Sequence, residues 1–240
     1  MEHLKGEFKD NMTVQSLVEL VTSFVKEQII TGKFQPHQQI KEEEIASKFD
    51  ISRPPVREAF SRLEAEGLVI KKPRKGVFVT EPTMEDVREI YRLKASLYEL
   101  STELAMQVMT DGEVLELEKL IQSMNEYTKQ MEFDILGYQS VHIQFHRQIM
   151  LLAGNKRLLS FAENLHNQVC RFSYKALQYR EHIQDSMVYH NDIFQAIKER
   201  DQKRACQLTK DHVLDALHFQ YRMYCTEQSE VDLVTNASHV

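Results

Sequence analysis

Residues 40–79, IKEEEIASKFDISRPPVREAFSRLEAEGLVIKKPRKGVFV, decide the fold of the first part of the chain. Ile45, Ala46 and Phe49 give one side of a short helix from Glu42 to Phe49, and Asp50-Ile51 makes a tight turn after it. Ser52 stands where an N-cap belongs. Pro54 and Pro55 then fit a first helical turn, where backbone N–H groups have no intrahelical partner. Val56, Ala59, Phe60 and Leu63 supply the buried stripe of this helix, and Gly67 is placed to close it. Leu68-Val69-Ile70 and Val77-Phe78-Val79 flank the basic turn at residues 71–76, and two β-prone runs about a turn predict a hairpin. Upstream, Val14, Leu17, Val18, Val21, Phe24, Val25 and Ile29 recur at helical spacing until Gly32. The pattern predicts a winged helix-turn-helix over residues 14–80, preceded by an extension at 1–13.

On such a fold the third helix enters the major groove N-terminal end first, with the hairpin as a wing. The apolar stripe leaves Arg53, Arg57, Ser61 and Arg62 outside the core. Arg53 and Arg57 are four apart and so project from one side. Their planar forks can bind guanine O6 and N7 together, or a phosphate. Lys75 and Gly76 suit a wing whose backbone comes close to DNA. The competing explanation is a solvated basic surface whose arginines pair with Glu58 or other acidic neighbours.

Overall charge points the other way until the chain is divided. The 240 residues carry 30 Lys+Arg and 36 Asp+Glu, a net −6. Residues 1–80 hold 13 and 12 of these, a net of +1, and the remainder hold 17 and 24, a net of −7. Between Arg53 and Gly76 seven basic residues face three acidic ones, a local +4. An acidic total therefore does not exclude DNA. With 7 Gly and 5 Pro, a β-sandwich or a Gly-rich nucleotide fold is disfavoured. No apolar run is long enough to span a bilayer and no signal-peptide pattern opens the chain, so a cytoplasmic protein without membrane contact is expected. Cys170, Cys206 and Cys225 form no metal or disulfide spacing and are expected to be buried or half-buried thiols.

After a linker at 81–83, Thr83-x-x-Asp86 and Thr110-x-x-Glu113 read as capping boxes that open helices. Amphipathic segments follow at about 135–153, 156–179, 183–199 and 202–225. The expected fold class is mainly α: the winged domain plus an all-α six-helix bundle over 84–227, with a tail at 228–240. His142 and His146 sit at i and i+4 and leave the same helix face, the simplest helical chelate, although the spacing also arises by chance. His190 and His212 fall on the last two helices, away from plainly solvated stretches. The other histidines, His166 and His182 among them, show no such arrangement.

The quoted stretch, above all SRPPVREAFSRLEAEGLV, resembles the DNA-binding domain of the GntR family of bacterial transcription regulators. Phe145-His146-Arg147 with the AGNKRL run at 153–158 resembles the FCD effector domain of that family, in its six-helix, VanR-like type. The resemblance implies operator contacts at Ser52, Arg53, Pro54, Arg57 and Gly76, to which the basic surface adds Arg62 and Lys75. Glu43 stands where many relatives carry arginine, and Asp50 where they carry glycine. The resemblance also implies a divalent-cation site at His142, His146, His190 and His212, with His142 replacing the family's aspartate. Four imidazoles favour zinc, with nickel possible, over magnesium or calcium. This ligand set requires His142 to point toward His146. The effector pocket is expected at Tyr91, Lys94, Tyr98, Arg171 and Tyr174, with Lys94 and Tyr98 replacing the family's arginine and glutamate.

Together these features predict a ligand-responsive regulator, a repressor, that binds a palindromic double-stranded operator as a homodimer and takes a small organic acid as effector. No catalytic residue is identified and the protein is not expected to be an enzyme. The alternatives are a metal-sensing regulator and a histidine-ligated metallohydrolase.

Overall fold

The computed structural model describes the backbone of residues 14–237 and the side chains of residues 15–226. The extension at 1–13 and the end of the tail, 238–240, lie outside the described residues. The chain divides into two compact units at Glu81/Pro82.

In the first unit, α1 (Val14–Ile30) lays Val18, Val21, Val25 and Ile29 against Val56, Ala59, Phe60 and Leu63 of α3 (Arg53–Ala65). Between them runs α2 (Glu42–Phe49), which ends on Asp50 in the left-handed conformation at φ 53° and ψ 49°. Aspartate tolerates that region better than most residues, so the turn forms without glycine. Gly67, at φ +75°, closes α3, with the Leu68 N–H donating to the Leu63 carbonyl at 2.9 Å. The hairpin β2 (Val69–Lys72) and β3 (Gly76–Val79) forms as expected, with Lys72 opposite Gly76. A third strand, β1 (Gln39–Ile40), pairs antiparallel with β3 and makes the sheet order β1-β3-β2. Two residues are too short a run to show a period, so β1 leaves no trace in the sequence pattern.

One cap differs from expectation. Ser52 occupies the N-cap of α3 but makes no side-chain cap hydrogen bond. A capping hydroxyl accepts from the N–H of the second or third helical residue. Those residues are Pro54 and Pro55, and neither has an N–H.

The second unit contains α4 (Met84–Met106), α5 (Asp111–Lys129), α6 (Ile135–Leu152), α7 (Lys156–Ala176), α8 (Arg180–Lys198) and α9 (Gln202–Ala237). The capping boxes at Thr83/Asp86 and Thr110/Glu113 are both formed. Of the chain neighbours, α5 packs on α6, α6 on α7 and α8 on α9, while α4 packs most extensively on α9. One buried cluster joins α5, α6 and α8 through Leu117, Met124, Phe145, Ile193 and Ile197. Another joins α4, α7 and α9 through Val87, Tyr91, Val169 and Leu217. The backbone of α9 continues to Ala237, well beyond residue 225 where the apolar period fades. Cys170 is buried and Cys206 half-buried as expected, but Cys225 is exposed, two residues past the buried Met223 of α9. Among the described residues no helix is long and apolar enough to cross a membrane.

Candidate DNA-reading face and metal centre

Burial of one side of α3 leaves Ser52, Arg53, Pro54 and Arg57 exposed along the other. Both arginines meet the acidic first turn of α2. Arg53 Nη2 donates to Glu43 Oε1 at 2.5 Å, and Arg57 Nε donates to Glu42 Oε2 at 2.7 Å. Exposed pairs of this kind hold by roughly 0–1 kcal/mol, so a phosphate can displace the carboxylates. Arg62 is directed elsewhere and donates to Glu58 and to Gln15 of α1. The pairing of basic side chains with acidic neighbours is therefore real, and at Arg53 and Arg57 it is weak enough for a phosphate to replace it.

The basic turn of the wing, 71–76, is wholly exposed. Lys71 Nζ donates to Ser61 Oγ at 2.7 Å, tying the wing to α3. Gln39 Nε2 of β1 donates to the Lys75 carbonyl at 2.7 Å. Gly76 has φ +102°, and a Cβ there would lie 2.8 Å from Gln39 Nε2. The Gln39 side chain could swing aside, so it is the positive φ that favours glycine in the wing, whatever the wing touches.

In the second unit α6 supplies His142 and His146, α8 supplies His190 and α9 supplies His212. One ligand nitrogen from each lies within 4.8 Å of all the others. His142 points toward His146, with ring centroids 4.9 Å apart. His190 Nδ1–H donates to the Ser186 carbonyl one turn earlier at 2.6 Å, which leaves Nε2 as the lone-pair nitrogen, 3.0 Å from His146 Nε2. Burial is the main cause that holds all four imidazoles in the neutral form, and it lowers His190 to about 4. The neighbouring rings push His142, His146 and His212 further down. Four neutral, converging nitrogens with one tautomer fixed by a backbone carbonyl are what a borderline-soft divalent cation requires, so the donor set fits.

Beside the tetrad lies a cavity of about 50 Å³. Tyr91, Lys94 and Tyr98 line it, as expected from their shared face on α4. Lys94 is 5% exposed, and burial lowers its ammonium to about 8. Its Nζ lies 4.9 Å from the Tyr91 ring centre and 3.4 Å from His166 Nδ1. The Tyr98 ring packs 5.0 Å from His146. Arg171 and Tyr174 are not among the lining residues. The phase of α7 turns His166, Ser173 and Leu177 to the cavity instead. His182, Ser186 and His190 form a four-residue ladder on α8, and His166 and Ser173 are seven apart on α7. These polar residues at helical spacing were the available signal for the wall that single-residue inspection missed.

Residues 89–215 match the FCD domain, and residues 17–79 match the bacterial regulatory proteins of the gntR family. This chain belongs to the GntR family. Among its relatives, the HTH-type transcriptional regulator YdhC of Bacillus subtilis is 29% identical over 205 residues, covering 82% of this chain and 85% of that protein. The HTH-type transcriptional repressor RspR of Escherichia coli is 24% identical over 187 residues, covering 78% and 81%. McbR/YncC of Escherichia coli shares the fold with a TM-score of 0.73 at 21% identity, over 87% of this chain and 98% of that one. This GntR chain is a DNA-binding transcription regulator and not an enzyme.

Proposed function

We propose that this GntR regulator is a ligand-responsive cytoplasmic repressor that binds a palindromic operator as a homodimer, with Ser52, Arg53, Pro54, Arg57, Lys75 and Gly76 facing the DNA. Two-fold symmetry would set two α3 helices in successive major grooves. Arg62, held toward α1, would contribute through charge alone. RspR and GlaR, two relatives named as transcriptional repressors, support the sign of regulation.

The effector side rests on one observation, the convergence of four buried, neutral imidazoles within 4.8 Å beside the buried ammonium of Lys94. His142, His146, His190 and His212 would hold a divalent transition metal, zinc or nickel. A cation with an open position would offer a Lewis-acid contact to a carboxylate oxygen. Lys94 lies in a cavity whose lining carries no carboxylate, so an organic acid would supply the missing counter-charge.

The test is to select a duplex from a random pool with the full-length protein, then measure its affinity with zinc-loaded, chelated and His146→Ala protein. Loss of bound metal in the variant, with acid-dependent weakening of duplex binding in the loaded protein, is the expected result. Wild-type protein that takes up no zinc or nickel at micromolar free metal would contradict the metal site. The small cavity favours a second possibility, in which the cation itself is the signal. In that case duplex affinity follows free metal with no acid present.

A further inference from the structure

The cavity beside the tetrad has two chemically different ends. Helices α6 and α7 are antiparallel, with Arg147 bonded to Glu163, and α8 begins where α7 ends, so the first turns of α6 and α8 lie at one end while His146 and His190 meet farther along. Gln139 lies seven residues before His146 and His182 lies eight before His190, so both sit about two turns toward the same end. Both line the cavity. Gln139 is 5% exposed and His182 7% exposed, yet Gln139 Nε2 and His182 Nδ1 have no hydrogen-bond partner. Buried polar atoms normally find one, and two orphans at one end of one cavity call for a common acceptor or donor. The His182 ring is stacked on Phe219 at 4.4 Å, which fixes its plane.

The charges are equally selective. Lys94 is the single Lys or Arg on the cavity wall, and no Asp or Glu stands there. A ligand with one carboxylate is matched by Lys94. Asp185 and Arg222 act on His182 at the far end, but neither lines the cavity, so a second carboxylate or an ammonium there would have no counter-charge in direct contact.

We infer that Gln139 and His182 form a subsite for an uncharged hydrogen-bonding group, a hydroxyl or primary amide, at the far end of a small monocarboxylate, and that the cavity rejects dicarboxylates and amino acids. This rests on the acid-binding function proposed above. Gln139 Nε2 donates to the ligand oxygen, while His182 Nδ1 accepts from its hydroxyl or donates to it, according to tautomer. The volume of about 50 Å³ limits the ligand to a few heavy atoms.

Four four-carbon acids that differ only at the far end test it: butyrate, 4-hydroxybutyrate, succinate and 4-aminobutyrate, titrated calorimetrically into the zinc-loaded full chain. The hydroxy acid should bind tightest, about tenfold better than butyrate, the value of one well-made hydrogen bond. Succinate and 4-aminobutyrate should bind more weakly than butyrate. Gln139→Met should erase the preference for the hydroxy acid over butyrate. If succinate binds tightest, or the hydroxy acid gains nothing over butyrate, the subsite is overturned and acid binding stands. If none of the four binds, both fall. The comparison among acids on the unaltered protein needs no variant to fold.

Discussion

Single residues set how this regulator meets DNA. Glu43 brings a carboxylate to the position from which Arg53 would reach a phosphate, and the two are bonded at 2.5 Å. Glu43→Gln removes a negative charge from the DNA face and releases the guanidinium. Affinity for duplex of arbitrary sequence should rise by roughly 0.5–1 kcal/mol at low salt, narrowing the gap to the selected operator. Fluorescence anisotropy on both duplexes reads this, and unchanged non-specific affinity would sink it. Arg57→Ala should weaken operator binding by about 1–3 kcal/mol and relax preference at one base position, provided Arg57 reads a base. A uniform loss across sequences would instead assign it to phosphate. The acid at Glu43 was visible in the sequence. Its partner ten residues on was not, because the pairing depends on how Asp50-Ile51 turns α2 against α3.

At the scale of elements, two helix starts that look alike in sequence behave differently. Thr83 caps α4 with its hydroxyl accepting from the Asp86 N–H at 3.1 Å, whereas Ser52 caps nothing at α3. Thr83→Ala should therefore lower stability by about 1 kcal/mol, and Ser52→Ala by less than about 0.5 kcal/mol. Urea denaturation of the two variants compares them directly. Because the Ser52 hydroxyl is not committed to the helix, Ser52→Ala should show itself in operator affinity instead. Helix identity was legible throughout, since apolar stripes at spacings of three and four need only local sequence. Arg171 and Tyr174 lie roughly 80° or more around α7 from His166 and Ser173, at about 100° per residue, and which of these faces meets the cavity is set by how α7 packs on α4 and α9.

For the whole molecule, the buried histidines link stability to pH. Burial lowers both His182 and His190 to about 4, against 6.5 for a free imidazole. Between those values the unfolded chain binds more protons than the native one, so stability rises with pH there. The contribution is complete above about pH 6.5 and is lost as pH falls toward 4, at most roughly 3 kcal/mol for each group. His142, His146 and His212 shift in the same direction. Metal-free protein should accordingly show a urea midpoint that falls steeply between pH 6.5 and 4.5, and a flat profile would contradict burial of neutral imidazoles. Zinc at a thousandfold excess over its dissociation constant should add about 4 kcal/mol of stability near neutral pH. The sequence by itself determined the winged helix-turn-helix, the six-helix bundle, the separation of charge between them and the four histidines, because periodicity, caps and i, i+4 spacing are local properties of the chain. Only the tertiary structure decided that Arg53 and Arg57 are held by α2, that three strands rather than two make the sheet, and that Gln139 Nε2 and His182 Nδ1 are left without a hydrogen-bond partner at one end of a cavity. Those depend on which faces of distant helices meet, and burial acts on the assembled bundle rather than on any one segment.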